Sequence, residues 1–219
     1  MSTNRTLFQK KVHSLQTIAE GVYVLSIVRD FTFKAGQVIA IDIVSDGKPR
    51  LYSIASGEND EFLDILFDEK RNGKLTPYLS KLKAGDDIYV SEAFGTFTTT
   101  TGKAYWIAAG TGIAPFVSMA RSGLGRNKIL VHGARFDTNF YFSDLIEKIM
   151  PDSFVRCCSQ QEDSKYFKGR LTSWLSNQNN LPADYHYYLC GSAEMVVQVR
   201  DILIEKKIPF QNIISETYF

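Results

Sequence analysis

Over the first ninety or so residues the apolar positions fall in short runs, Val22-Tyr-Val-Leu-Ser-Ile-Val28, Val38-Ile-Ala-Ile-Asp-Ile-Val44 and Phe62-Leu-Asp-Ile-Leu-Phe67, divided by Gly, Asp and Asn. Runs of this length, rich in β-branched and aromatic residues, predict strands, and strands at this spacing predict a small antiparallel barrel. After the polar stretch Thr98-Thr-Thr-Thr-Gly102 the pattern changes. Apolar runs at Ala104–Ala108, Lys128–His132, Phe154–Cys157 and His186–Cys190 now alternate with helical periodicity, clearest in Met195, Val196, Val199, Ile202 and Leu203. That alternation predicts a parallel sheet with helices on both faces. The chain therefore reads as two domains, an antiparallel β-barrel over residues 1–98 and an α/β domain over residues 99–219.

Composition narrows the functional classes. With 44% hydrophobic and 22% charged residues the chain is an ordinary globular one. Its 25 basic and 24 acidic residues nearly cancel, and no basic stripe appears, which argues against a nucleic-acid partner. No apolar run is long enough to span a bilayer and the N-terminus lacks an apolar leader core, so no membrane partner and a cytoplasmic location are expected. Cys157, Cys158 and Cys190 form neither a disulfide framework nor the paired spacings of a metal or iron–sulfur site. Any redox chemistry must then come from an organic cofactor.

Several segments could hold one. In Arg50-Leu51-Tyr52-Ser53, strand alternation puts Arg50 and Tyr52 on one side and Ser53 on the other. A guanidinium there can pair with phosphate, a ring can stack on a flat heterocycle, and a small hydroxyl can reach a ring nitrogen. Gly73-Lys74-Leu75-Thr76-Pro77 predicts a helix start with Thr76 as N-cap and Pro77 at the first helical position, where unpaired N–H groups favour a pyrophosphate; capping alone explains these residues equally well. Gly110-Thr111-Gly112-Ile-Ala-Pro115 follows a buried strand and predicts a helix opening at Pro115, the context a dinucleotide pyrophosphate needs. Cys190-Gly191 ends another buried strand just before a helix, where open α/β sheets bind ligands. At the C-terminus, Glu216, Tyr218 and Phe219 need an apolar support, either a strand docked on the core or a stacked ring system.

Taken in order, Phe33-x-Ala35-Gly36-Gln37, Arg50-x-Tyr52-Ser53, Gly73-Lys74-Leu75-Thr76, Leu82-Lys83-x-Gly85-Asp86, Gly110-Thr111-Gly112, Gly133-Ala134-Arg135, Cys190-Gly191 and Glu216-x-Tyr218 resemble the ferredoxin–NADP reductase family, most closely its compact bacterial members. The resemblance implies FAD on the barrel, held by Arg50, Leu51, Tyr52, Ser53 and the Gly73–Thr76 turn, with Tyr218 and Phe219 against its rings. It implies NADP(H), with NAD(H) as the variant, on Gly110, Thr111, Gly112, Arg135, Ser159, Arg170 and Gly191, and a hydride path bordered by Ser53, Cys190, Glu216 and Tyr218. Phe219 stands where the nearest bacterial relatives have tryptophan. NADP-specific relatives follow the serine at 159 with an arginine; here Gln160 follows, and Lys165, Lys168 and Arg170 lie downstream. The implied partner is a small electron carrier, ferredoxin or flavodoxin. The same motifs serve an oxygenase reductase component or a free-flavin reductase, and a non-catalytic flavin-binding subunit is the alternative of another class.

Overall fold

The computed structural model describes residues 5–99 and 101–218. The chain divides into two compact units, Met1–Thr98 and Thr99–Phe219, and each builds its own sheet.

In the first unit the strands are β1 (Phe8–Ala19), β2 (Val22–Val28), β3 (Val38–Asp42), β4 (Arg50–Ser53), β5 (Phe62–Asp68) and β6 (Asp87–Val90), with a one-turn helix α1 (Thr76–Leu79) before β6. They lie in the order β4-β3-β6-β1-β2-β5, every pairing antiparallel. A bridge between Ile54 and Ile65, with the Ala55 amide donating to the Asp64 carbonyl at 2.8 Å, joins the end of β4 to β5. That contact closes the sheet into a barrel and removes its open edges. β1 serves two neighbours: Phe8–Lys11 pair with β6, and from Val12 onward the strand pairs with β2, with an irregularity between Val12 and Ser14. Such a bulge bends a strand round a barrel corner. Leu25, Ile27, Ile39, Ile41, Ile65, Phe67, Ile88 and Val90 fill the interior.

The second unit contains β7 (Ala104–Ala109), α2 (Ala114–Arg121), β8 (Lys128–Ala134), α3 (Ser143–Ile149), β9 (Phe154–Cys158), β10 (Phe167–Lys168), α4 (Leu171–Ser176), β11 (His186–Ser192), α5 (Ala193–Glu205) and β12 (Ile213–Tyr218). Its sheet is parallel throughout, ordered β10-β9-β8-β7-β11-β12. From β7 the chain steps outward through β8 and β9, then returns to the other side of β7 as β11. Tyr105, Ile107, Val131, Tyr187 and Leu189 pack on one face against Leu171 and Leu175 of α4 and Met195, Val199 and Leu203 of α5. The opposite face carries Trp106, stacked on Phe116 of α2 with ring centroids 5.7 Å apart. Helices thus cover both faces, as the alternation predicts. Of the two supports offered for the terminal aromatics, the backbone adopts the docked strand: β12 runs beside β11 from Ile213 to Tyr218. Phe219 lies outside the described residues. Among the described residues no helix is long and apolar enough to cross a membrane.

Candidate functional site

In the barrel, β4 is anchored to β3 by the pairs Ile41–Arg50, Ala40–Leu51, Ile39–Tyr52 and Val38–Ser53. Arg50 and Leu51 are exposed, Tyr52 is half-buried and Ser53 is buried. Arg50 and Tyr52 share a face, as strand alternation requires. The Tyr52 ring stands edge-on to Phe67, centroids 6.4 Å apart. Burial pushes its phenol well above the ordinary range, against the opposing pull of the Arg50 guanidinium and with help from Asp68, so the O–H stays protonated and available as a donor.

The Gly73–Thr76 turn differs from the sequence expectation in one respect. Thr76 is not the N-cap of α1 but its first residue; Leu75 precedes it in helical conformation, with no side-chain cap. The Thr76 hydroxyl instead accepts the Lys70 amide at 2.8 Å, and the Gly73 amide donates to the Lys70 carbonyl at 2.6 Å. The threonine therefore closes the loop rather than the helix. It leaves Gly73 and Lys74 exposed.

In the α/β unit the chain reverses its strand order between β7 and β11, and crevices at such switch points, beyond the carboxyl ends of the strands, are where open sheets bind ligands. Both glycine segments lie there. Gly110 leaves β7 with φ +55°, the left-handed conformation that favours glycine, and opens a 3-10 turn, Gly110–Ile113. The α-helix begins at Ala114, one residue before the expected Pro115. Gly112 packs directly on the end of β11: a Cβ there would lie 2.7 Å from the Cys190 carbonyl carbon and 2.8 Å from Gly191 Cα. Only a residue without a side chain allows that approach. Ser192 caps α5 by accepting the Met195 amide at 3.3 Å.

Register brings side chains together that are far apart in sequence. Glu216 pairs with Cys190, Cys190 with Ala108, Ala108 with His132 and His132 with Arg156, so these residues form one row across four strand pairs on the α2 face. Cys190 is buried and Glu216 half-buried. Sequence reasoning missed His132. It is fully buried, its Nε2 is 3.1 Å from the Gly110 carbonyl oxygen, and Phe140 meets its ring edge-on at 5.5 Å. Burial, with a smaller contribution from Arg156, pushes its pKa down to about 4 against the opposing hydrogen bond, so the imidazole is neutral. A histidine one residue before Gly133 was the available signal.

Beyond β8 and β9, two loops are stitched to each other. The Gln160 amide donates to the Arg135 carbonyl at 2.9 Å, the Ser159 hydroxyl to the Ala134 carbonyl at 3.1 Å, and the Asp137 amide to the Gln161 side-chain oxygen at 2.9 Å. The Ser164 hydroxyl donates to Asp137 at 2.7 Å. Arg135, Ser159 and Gln160 are thereby held as neighbours, all exposed, with Lys168 on the adjoining β10 and Arg170 just before α4.

A sequence profile of the oxidoreductase NAD-binding domain matches residues 106–201. The ferredoxin–NADP reductase of Pseudomonas aeruginosa is 33% identical over 201 residues, 78% of this chain and 78% of that protein. The toluate 1,2-dioxygenase electron transfer component of Pseudomonas putida is 25% identical, covering 99% of this chain and 69% of that protein. Among solved structures, a ferredoxin NADP+ reductase from Neisseria gonorrhoeae with bound FAD and NADP matches with a TM-score of 0.85 at 22% identity, over 98% of this chain and 99% of that one, a likeness of fold.

Proposed function

This chain belongs to the ferredoxin–NADP reductase family, and on that premise we propose that it exchanges hydride between NADP(H) and bound FAD and passes single electrons to or from a small carrier protein, ferredoxin or flavodoxin. The observation that carries the reading is the glycine turn seated on the end of β11 at the switch point. It leaves backbone, and no side chain, where a pyrophosphate must approach. The barrel's donor set fits a flavin: an exposed guanidinium and a protonated phenol on one face of β4, with an exposed glycine-bearing turn at Gly73 and Lys74. The flavin, when bound, accepts hydride as a pair and releases electrons singly.

The chain's own residues bind and orient. Arg50 pairs with a flavin phosphate, Leu51 and Tyr52 pack on the ring, and the Gly73–Thr76 segment, with Lys74 and Leu75, receives the pyrophosphate. Tyr218 and Phe219 are assigned to the ring face. Gly110, Thr111, Gly112 and Gly191 admit the dinucleotide backbone, while Cys190 and Glu216, paired across β11 and β12, border the nicotinamide. Cys157, Cys158 and Cys190 are buried and form no disulfide among the described residues, in keeping with a reducing, cytoplasmic setting. The coverage of nearly the whole chain by the toluate dioxygenase electron transfer component supports one second reading, in which the electron acceptor is an oxygenase.

Anaerobic addition of NADPH to purified protein tests the main reading: flavin absorption should bleach rapidly. Protein that stays colourless after incubation with FAD would sink it. Ser53→Ala is expected to retain FAD and slow hydride transfer at least about tenfold, roughly 1.4 kcal/mol of barrier, because the hydroxyl beside Tyr52 is the one assigned to the flavin N5. Unchanged single-turnover reduction would remove Ser53 from the path.

For the 2′-phosphate we assign Arg135, Ser159 and the basic residues Lys168 and Arg170, in place of the arginine that Gln160 supplants. NADPH is then preferred over NADH, by a smaller margin than where an arginine stands. Arg135→Ala should lower kcat/KM for NADPH about tenfold, the loss of one charge-assisted hydrogen bond, and leave NADH within about twofold. Gln160→Arg should widen the preference. A wild type that favours NADH outright, or an Arg135→Ala that lowers both equally, contradicts the assignment.

A further inference from the structure

His132 has no part in the roles above, yet its burial is costly. The carbonyl oxygen of Gly110 can only accept, so the ring nitrogen facing it, Nε2, carries the proton and donates. Nδ1 is then a bare acceptor, and among the described residues it has no hydrogen-bond partner. A buried polar atom left unsatisfied is unfavourable, and an apolar ring of the same shape would pack against Phe140 without that penalty. What the imidazole offers in exchange is a single hydrogen bond, and that bond ends on the one residue that turns the chain out of β7.

Gly110 sits at φ +55° with nothing within 4 Å of where its Cβ would be. Glycine has a broad conformational range, so its own sterics do not fix the peptide plane that follows it. That plane is rigid and trans, which makes the Gly110 carbonyl and the Thr111 N–H point in opposite directions. Holding the carbonyl on His132 therefore turns the Thr111 N–H away from the His132 ring. We propose that His132 is a positioning residue for the dinucleotide: by donating from Nε2 to the Gly110 carbonyl it locks the Gly110–Thr111 peptide so that the turn presents its amide to the pyrophosphate. The inference rests on the reading of Gly110–Ile113 as the dinucleotide turn.

Three substitutions in the full-length holoprotein test it, with NADP+ affinity read from the flavin difference spectrum and KM and kcat measured for NADPH. H132F keeps a ring and removes the donor; it should raise the dissociation constant and KM at least about tenfold, the worth of one hydrogen bond, while kcat at saturation stays within about twofold and FAD remains bound. H132Q, whose amide nitrogen reaches about as far as Nε2, should restore affinity to within about threefold of wild type. H132N, with its amide nearer the Nδ1 position, should resemble H132F. Wild-type affinity in H132F, or a loss confined to kcat, overturns the proposal. Should H132F not fold, equal affinities in H132Q and H132N overturn it instead. Gly112→Ala separates the two layers of the argument. If it too binds NADP+ like wild type, the turn is not the dinucleotide site and both readings fall; if it weakens binding and H132F does not, only the role of His132 is lost.

Discussion

Gly112→Ala is expected to lower kcat/KM for NADPH by about a hundredfold, with the FAD content and flavin spectrum unchanged. The added methyl has nowhere to go. Its neighbours at 2.7 and 2.8 Å are the Cys190 carbonyl carbon and Gly191 Cα, main-chain atoms in the interior of the sheet rather than the far end of a flexible side chain. Either the turn lifts away from β11 or β11 shifts, and in both cases the amides that receive the dinucleotide move by something near an ångström. Misplacements of that size cost on the order of a hundredfold in rate. Rapid-mixing reduction of the bound flavin by NADPH, across a range of concentrations, measures the effect directly. A rate constant and a half-saturation both within about threefold of wild type would mean that the displaced turn is not where the dinucleotide binds.

The second large effect is on acid stability. The imidazole of His132 is neutral in the folded protein, with its pKa down at about 4, whereas an unfolded chain would hold it near 6.5. Below 6.5 the unfolded state binds the proton first. The contribution of this residue is therefore complete above pH 6.5, falls as the pH drops, and bottoms out near pH 4. At about 1.4 kcal/mol per unit the loss is about 3 kcal/mol, a sizeable part of the stability of an ordinary domain. The effect can be isolated in one unit, because both tryptophans, Trp106 and Trp174, belong to Thr99–Phe219. Urea unfolding followed by tryptophan fluorescence between pH 7 and pH 4 should show a steeper decline in wild type than in His132→Gln, which has nothing to titrate there. Parallel curves would mean that His132 is protonated as easily in the folded chain as in the unfolded one.

What could be read from the sequence depended on whether a residue's environment is local. β2 and β5 are short apolar runs interrupted by Ser26 and Asp64, and the parallel strands are nearly continuous apolar runs because both their faces are covered. α5 announces itself by its buried Met195, Val196, Val199 and Leu203. β1 is less legible. Its apolar residues Val12, Leu15 and Ile18 are three apart, since irregularities between Val12 and Ser14 and between Thr17 and Ala19 each reset the period of two. β10, two residues long, has no period at all. The turns of the candidate site could be found from their glycines, but their juxtaposition could not. Nothing in the sequence says that Gly112 meets Cys190, or that Glu216, Cys190 and His132 share a row, because those facts belong to strand order and register. Thr76 shows the converse error: a residue with the right chemistry for a cap found a nearer acceptor role in its own loop.

The strand order also bears on how the chain reaches its folded form. β7, β8 and β9 meet their neighbours across one short crossover each, whereas β11 must find β7 across about eighty positions of chain. Closing so long a loop costs entropy before any contact is made, and pairings of this kind are slow compared with local ones. The crevice at the switch point has β7 for one wall and β11 for the other. A partly folded chain in which β11 has not yet docked can hold most of its native hydrogen bonds and still have no place for a dinucleotide.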